Sequence, residues 1–246
     1  MTDPERPPLA LLCAVPLEGA ELRAALADAG EVEVGRKPAT AGTLGGVPVL
    51  LFPVGMGKAN AAHGATALLE TRGVRGVVGF GIAGAYPGSG LAVGDVALAS
   101  EVVYADEGVE TPGGWLSTEG IGIPLLERGG ARRFNRFPLE GERVEHARAV
   151  LEAAGVRVRV GPALTVSTCS GTTARGAELA RRFGALTEGM EGAALGHVCA
   201  LYDVPFLEVR GISNTVEDRD LSTWRIADAA AAAQRAVRAL AAAWPD

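Results

Sequence analysis

The chain alternates apolar runs of strand length with stretches of helical periodicity, and this restricts it to a sheet covered by helices. "LALLCAV" (9–15), "VPVLLFPV" (47–54), "VRGVVGFGI" (74–82) and "VPFLEVRGI" (204–212) are apolar almost without interruption. Runs of this kind suit strands buried on both faces, as in parallel sheets. Further strands are expected over 93–105 and 156–168. Helices are expected over 17–29 (ending at Gly30), 58–73, 142–155, 172–184 and 189–203, and as an Ala-rich closing segment over 222–244. Residues 106–140 break every period with Pro112, Gly113, Gly114, Gly120, Gly122, Pro124, Gly129 and Gly130. They are expected as a long functional loop inserted within one domain spanning 1–246.

Composition narrows the function classes. A net charge of −6 with no dense Lys/Arg patch argues against a nucleic-acid partner. Cys13, Cys169 and Cys199 are odd in number and widely spaced, so neither a disulfide framework nor a zinc site is expected. No apolar run approaches the ~20 residues of a membrane span. "MTDPERPP" lacks the layout of a secretion signal. A cytoplasmic protein is the expectation.

Two glycine motifs invite misreading. Gly79-Phe80-Gly81-Ile82-Ala83-Gly84 matches G-x-G-x-x-G after a strand, but Ala85-Tyr86-Pro87-Gly88 cannot open the helix that a dinucleotide fold requires. Gly55-Met56-Gly57-Lys58 resembles the end of a P-loop, yet the earlier glycine is missing and Ala59 replaces the metal-binding hydroxyl. Lys58 is then expected as a solvated charge in a helix's first turn.

Polar groups follow apolar strands or open helices at Glu18, after Ile82, at Met190-Glu191 and at Asn214. Ligands bind beyond the carboxyl ends of strands in open α/β sheets, so these positions can converge on one cleft. Taken singly, Glu18 and Glu191 serve equally as acids in a helix's first turn, and Asn214 as a turn former.

Met190-Glu191-Gly192-Ala193-Ala194, together with Val209-Arg210-Gly211-Ile212-Ser213-Asn214, resembles the paired signature of the nucleoside phosphorylase and nucleosidase superfamily. "CAVPLEGAEL", "VGMGKANAA" and "GFGIAGAYPGSGLAVGD" resemble its earlier motifs in the same order, so the likeness covers nearly the whole chain. "SEVVYADEGVETPGGW", "TVSTCSGT" and "ISNTVEDRD" resemble the branch that hydrolyses a hypoxanthine-bearing nucleoside of the alternative menaquinone pathway. The implied fold is three-layer α/β/α with a mixed, twisted central sheet. The resemblance also implies a small-molecule nucleoside as partner, no metal or cofactor, and homo-oligomeric assembly.

It further implies roles. Glu18 falls at the nucleosidases' catalytic glutamate, which accepts a proton from the attacking water. Glu191 falls where ribose hydroxyls bind, and its charge favours the oxocarbenium-like state of the sugar. Met190 packs on the sugar. Ile82, Ala83, Gly84, Thr168, Arg210, Ser213 and Asn214 complete the expected substrate contacts. Hexameric phosphorylases hold phosphate where this chain has Glu18, Gly79 and Ile82, and a glutamate there repels that anion. Adenine-specific relatives carry an aspartate at the position of Asn214. A neutral amide tolerates the O6 and N7 acceptors of hypoxanthine, although asparagine also pairs with adenine. The branch's substrate bears a carboxyphenyl ketone on the 5′ side; the 106–140 loop is expected to cover it, with Arg132, Arg133 and Arg136 as carboxylate partners. A methylthioadenosine/S-adenosylhomocysteine nucleosidase and a purine nucleoside phosphorylase stand as alternatives.

Overall fold

The computed structural model describes residues 6–245. In chain order its strands are β1 (Leu9–Cys13), β2 (Ala27–Val34), β3 (Lys37–Leu44), β4 (Val47–Pro53), β5 (Gly76–Ala85), β6 (Val96–Tyr104), β7 (Gly108–Thr111), β8 (Gly114–Ser117), β9 (Leu126–Arg128), β10 (Ala131–Arg133), β11 (Arg136–Pro138), β12 (Val158–Thr165), β13 (Thr187–Gly189) and β14 (Phe206–Thr215). The α-helices are α1 (Ala20–Ala24), α2 (Lys58–Thr71), α3 (Gly141–Ala153), α4 (Thr173–Phe183), α5 (Gly192–Leu201) and α6 (Ile226–Ala242).

The continuous apolarity of β1 follows from its position between β4 and β5, parallel to both. Leu9, Leu11 and Cys13 face a core shared with α3 and α6. Ala10 and Leu12 face the opposite core, filled by Ala61, Ala65 and Leu68 of α2 and by Ala194, Leu195 and Val198 of α5. Successive side chains thus enter opposite layers, which gives a three-layer α/β/α arrangement around a mixed ten-stranded sheet. α6 is rich in alanine because its backbone lies directly on β14: a Cβ on Gly211 would fall 2.0 Å from the Ala229 carbonyl oxygen.

The sheet also closes on itself. β5 pairs with β14, β14 with β6, β6 with β12, β12 with β13, and β13 returns to β5. One end of the sheet is therefore a small ring. The carboxyl ends of β1, β5 and β14, mutually parallel, lie beside that ring.

The structure differs from the sequence expectations in three places. The helix expected over 17–29 is a short 3-10 turn (Pro16–Gly19) followed by α1 alone; residues 27–34 form strand β2. β2, β3 and β4 are joined by two-residue turns, Gly35-Arg36 and Gly45-Gly46, with positive φ at all four residues. Such turns match the twist of paired strands. Residues 106–140 hold two hairpins, β7–β8 and β9–β10, and β11, which extends the sheet beside β6. The helix expected over 189–203 begins only at Gly192, and just before it stands an unexpected strand, β13, which overlaps that expectation only at Gly189. The six-residue glycine motif at 79–84 lies inside β5, with no helix after it.

Candidate active site

Glu18 reaches its place through a turn. After β1 the chain passes Pro16 into the 3-10 turn, and the Glu18 carboxylate folds back under the strand end. Oε2 accepts the backbone N–H groups of Ala14 and Val15 at 2.9 and 3.2 Å, and Oε1 accepts that of Ile82 at 2.9 Å. A carboxylate has about four acceptor positions, so one on Oε1 stays open. The approach requires glycine on β5: a Cβ on Gly81 would sit 2.3 Å from Glu18 Oε1.

Glu191 precedes the first residue of α5 and is buried. Its Oε1 accepts Gly57 N–H at 2.9 Å, from the turn before α2. Oε2 faces Arg210 Nη1 at 3.4 Å, which leaves one acceptor position on each oxygen. Arg210 does not line the cleft. It is buried behind it, with Nε and Nη2 both 2.7 Å from Glu208 Oε1. Burial opposes its charge, but Glu208, Glu191 and Glu18 together hold the guanidinium above its ordinary range. Arg210 thus meets Glu191 by charge and by hydrogen bond, which holds that carboxylate in place.

Asn214 owes its aim to a β-bulge. The register of β14 against β5 slips between Ile212 and Asn214, so Ser213 has no partner and Asn214 lies opposite Gly84. Ser213 Oγ donates to Asn214 Oδ1, and Asn214 Nδ2 donates to the Thr215 carbonyl. One N–H of the amide remains free.

On the other side of Gly84 stands Glu188, paired with it through β13. Glu188 Oε1 accepts Ser170 N–H at 2.7 Å; Oε2 accepts Tyr86 O–H at 2.9 Å and Ser170 O–H at 2.7 Å. Burial first, then the charge of Glu188, push the Tyr86 phenol well up, so it stays a donor.

These residues share a cleft of about 310 Å³. Glu18, Ile82, Ala83, Gly84, Met190, Glu191, Ser213 and Asn214 all line it, as do Val15, Met56, Glu188, Arg219 and Trp224, which sequence reasoning did not single out. Thr168 is not among the lining residues; its neighbours Cys169 and Ser170 are. Burial, then Glu188 and Glu191, raise the Cys169 thiol, which keeps it neutral. Arg132, Arg133 and Arg136 line a different cavity, of about 350 Å³, and Arg136 pairs with Glu101. Lys58 does open α2, but it is not a solvated charge. It pairs with Asp106 at 2.6 Å and Glu107 at 2.8 Å, and Asp106 Oδ2 accepts Ser167 N–H. Among the described residues no group of three or more His, Cys, Asp or Glu is placed to hold a metal ion, and no helix is long and apolar enough to cross a membrane.

Known proteins resemble this chain over most of its length. The model of the phosphorylase superfamily matches residues 8–243. A futalosine hydrolase of Thermus thermophilus is 40% identical over 198 residues, covering 80% of this chain and 83% of the relative. One of Streptomyces coelicolor is 38% identical, covering 78% and 77%. A 5′-methylthioadenosine/S-adenosylhomocysteine nucleosidase of Mycobacterium tuberculosis is 31% identical, covering 83% and 84%. Among solved structures, S-adenosylhomocysteine nucleosidase of Streptococcus pyogenes, in complex with 5-methylthiotubericidin, superposes with a TM-score of 0.84 at 23% identity, covering 98% of this chain and 99% of that one. That likeness speaks for the fold.

Proposed function

The chain belongs to the phosphorylase superfamily, and within it we propose a nucleosidase that hydrolyses the N-ribosidic bond of futalosine, releasing hypoxanthine and dehypoxanthine futalosine in menaquinone biosynthesis. The observation that carries hydrolysis is the position of Glu18. Backbone N–H groups of Ala14, Val15 and Ile82 converge there as an anion site, and the protein's own carboxylate already fills it. A phosphate nucleophile would have to displace a buried, hydrogen-bonded anion or sit against it, whereas a water needs only the open position on Oε1.

The mechanism follows from the vacant acceptor positions. Water bound at Glu18 Oε1 is the nucleophile, and Glu18 takes its proton as the C–O bond forms at C1′. The ribose hydroxyls donate to the two open positions of Glu191, whose negative charge stabilises the oxocarbenium-like sugar. Arg210 and Gly57 hold Glu191 in place for this. The electron pair of the broken C–N bond goes to the purine, which leaves as an anion accepting the one free N–H of Asn214; it is then protonated from solvent as Glu18 returns its proton there.

The base preference rests on the pair flanking Gly84. Hypoxanthine offers O6 and N7 as acceptors and N1–H as a donor. Asn214 supplies a free amide N–H, and Glu188 retains an acceptor position on Oε1. Adenine reverses the pattern at N1, where its lone pair would meet the Glu188 carboxylate. Alongside this reading we place the protein in the cytoplasm, where three unpaired cysteines are chemically stable, and as a homo-oligomer.

The test is an assay of purified protein in phosphate-free buffer with futalosine, inosine and methylthioadenosine. Hypoxanthine should appear from futalosine, with a free sugar product and no stimulation by added phosphate. Absence of hypoxanthine from futalosine, or a sugar 1-phosphate product, overturns the proposal.

A further inference from the structure

Arg219 is the one basic side chain lining the cleft among the described residues. It follows β14, in a segment rich in acids, yet forms no ion pair among the described residues: its contacts are a stacked position 4.8 Å from the Trp224 ring centroid and a backbone bond to Gly171. The acids on either side of it in the chain are engaged elsewhere. Asp218 accepts Thr173 N–H, and Asp220 accepts both the N–H and O–H of Ser222. By contrast, Arg132, Arg136, Arg175 and Arg182 all meet carboxylates.

A free guanidinium is out of place for the bond-breaking step, because positive charge grows on the sugar there. It is well placed for docking. Glu18, Glu188 and Glu191 make the cleft repulsive to any anionic ligand, and a single cation offsets this only where it stands. The lining also offers apolar surface: Trp224, which Arg219 touches, and Val15 and Met56, which are 40% and 61% exposed. The contact with the indole restrains the guanidinium, and its planar fork can receive a carboxylate through two hydrogen bonds.

We propose that Arg219, held by Trp224, is the specificity residue that receives a carboxylate carried on an apolar 5′ extension of the nucleoside, with the extension lying on Val15, Met56 and Trp224. This rests on the nucleosidase reading of the same cleft, and it replaces Arg132, Arg133 and Arg136 as the carboxylate partner.

Arg219→Gln keeps length and polarity but removes the charge. Its kcat/KM on futalosine should fall about 10- to 100-fold through KM, the worth of a charge-assisted carboxylate pair, with kcat held. On the methyl ester of futalosine, wild type and variant should agree within about twofold. Calorimetry in the Glu18→Gln background, where the ligand survives, should show the same loss of futalosine affinity on adding Arg219→Gln and none for the ester. Equal losses on acid and ester, or no loss on the acid, overturn the assignment while leaving the hydrolase reading intact. Wild type that binds futalosine through Arg219 without cleaving it supports the assignment and sinks that reading. Wild type that neither binds nor cleaves futalosine sinks both.

Discussion

Ser213 Oγ lies 2.7 Å from Asn214 Oδ1, and the Thr215 carbonyl, which can only accept, identifies the other end of the amide as Nδ2. With Nδ2 bound to the Thr215 carbonyl at 2.9 Å, the amide presents a donor to the cleft in one orientation. Ser213→Ala should let it rotate, lowering kcat/KM for a hypoxanthine nucleoside about 2- to 12-fold, the worth of one neutral hydrogen bond. Steady-state kinetics read this directly.

Asn214→Asp sets a carboxylate oxygen against the Thr215 carbonyl and against purine O6 or N7. Release of hypoxanthine should fall roughly 10- to 100-fold, and relative activity on adenine-bearing nucleosides should rise. The readout is the ratio of kcat/KM values for inosine and adenosine; an unchanged ratio removes Asn214 from base recognition.

Arg210 compensates Glu208 and Glu191 deep in the protein; Arg210 and Glu208 side chains are each only 4% exposed. Arg210→Met leaves two buried acids without their cation, which costs about 3–5 kcal/mol. For a chain of this size the melting temperature should drop by roughly 6–20 °C, measured by calorimetry. Arg210→Lys should recover part of it, since an ammonium lacks the fork that holds both acids.

The strut of Lys58 and Asp106 ties α2 to the segment leading into β7 and to Ser167. Burial works against both charges, but their mutual hydrogen bonds prevail: Asp106 is held below the usual carboxylate range and Lys58 above the usual amine range. The aspartate's contribution is therefore complete above its unfolded value of about 4 and disappears as pH falls through its lower folded value. The lysine's is complete below about 10.4 and disappears as pH rises through its higher folded value. The melting-temperature advantage of wild type over Asp106→Asn should be flat between those limits and shrink outside them.

Much of the site was legible because its residues adjoin strong local signals. Glu18 and Asn214 follow apolar strands, and Glu191 opens an apolar helix, so position along the chain already placed them at one sheet edge. Glu188 was hidden because β13 is three residues long and sits between two helices. Arg219 and Trp224 belong to a polar segment whose approach to the cleft is a tertiary matter. In the fold, "ELRAALADAG" has helical composition, and only the pairing of 27–34 with β3 overrides it. The turns Gly35-Arg36 and Gly45-Gly46 carried the hairpin signal. In 106–140 the same glycines that suggested a loop make tight turns, as Gly129-Gly130 does with φ of 57° and 79° between β9 and β10.

The central claim is that Glu18, seated in a nest of backbone N–H groups, acts as the base for water. Glu18→Gln keeps size and most hydrogen bonding but cannot take a proton. Measured on one preparation, kcat for futalosine should fall about 10²–10⁴-fold while the dissociation constant changes little. A variant that hydrolyses futalosine at the wild-type rate contradicts the account.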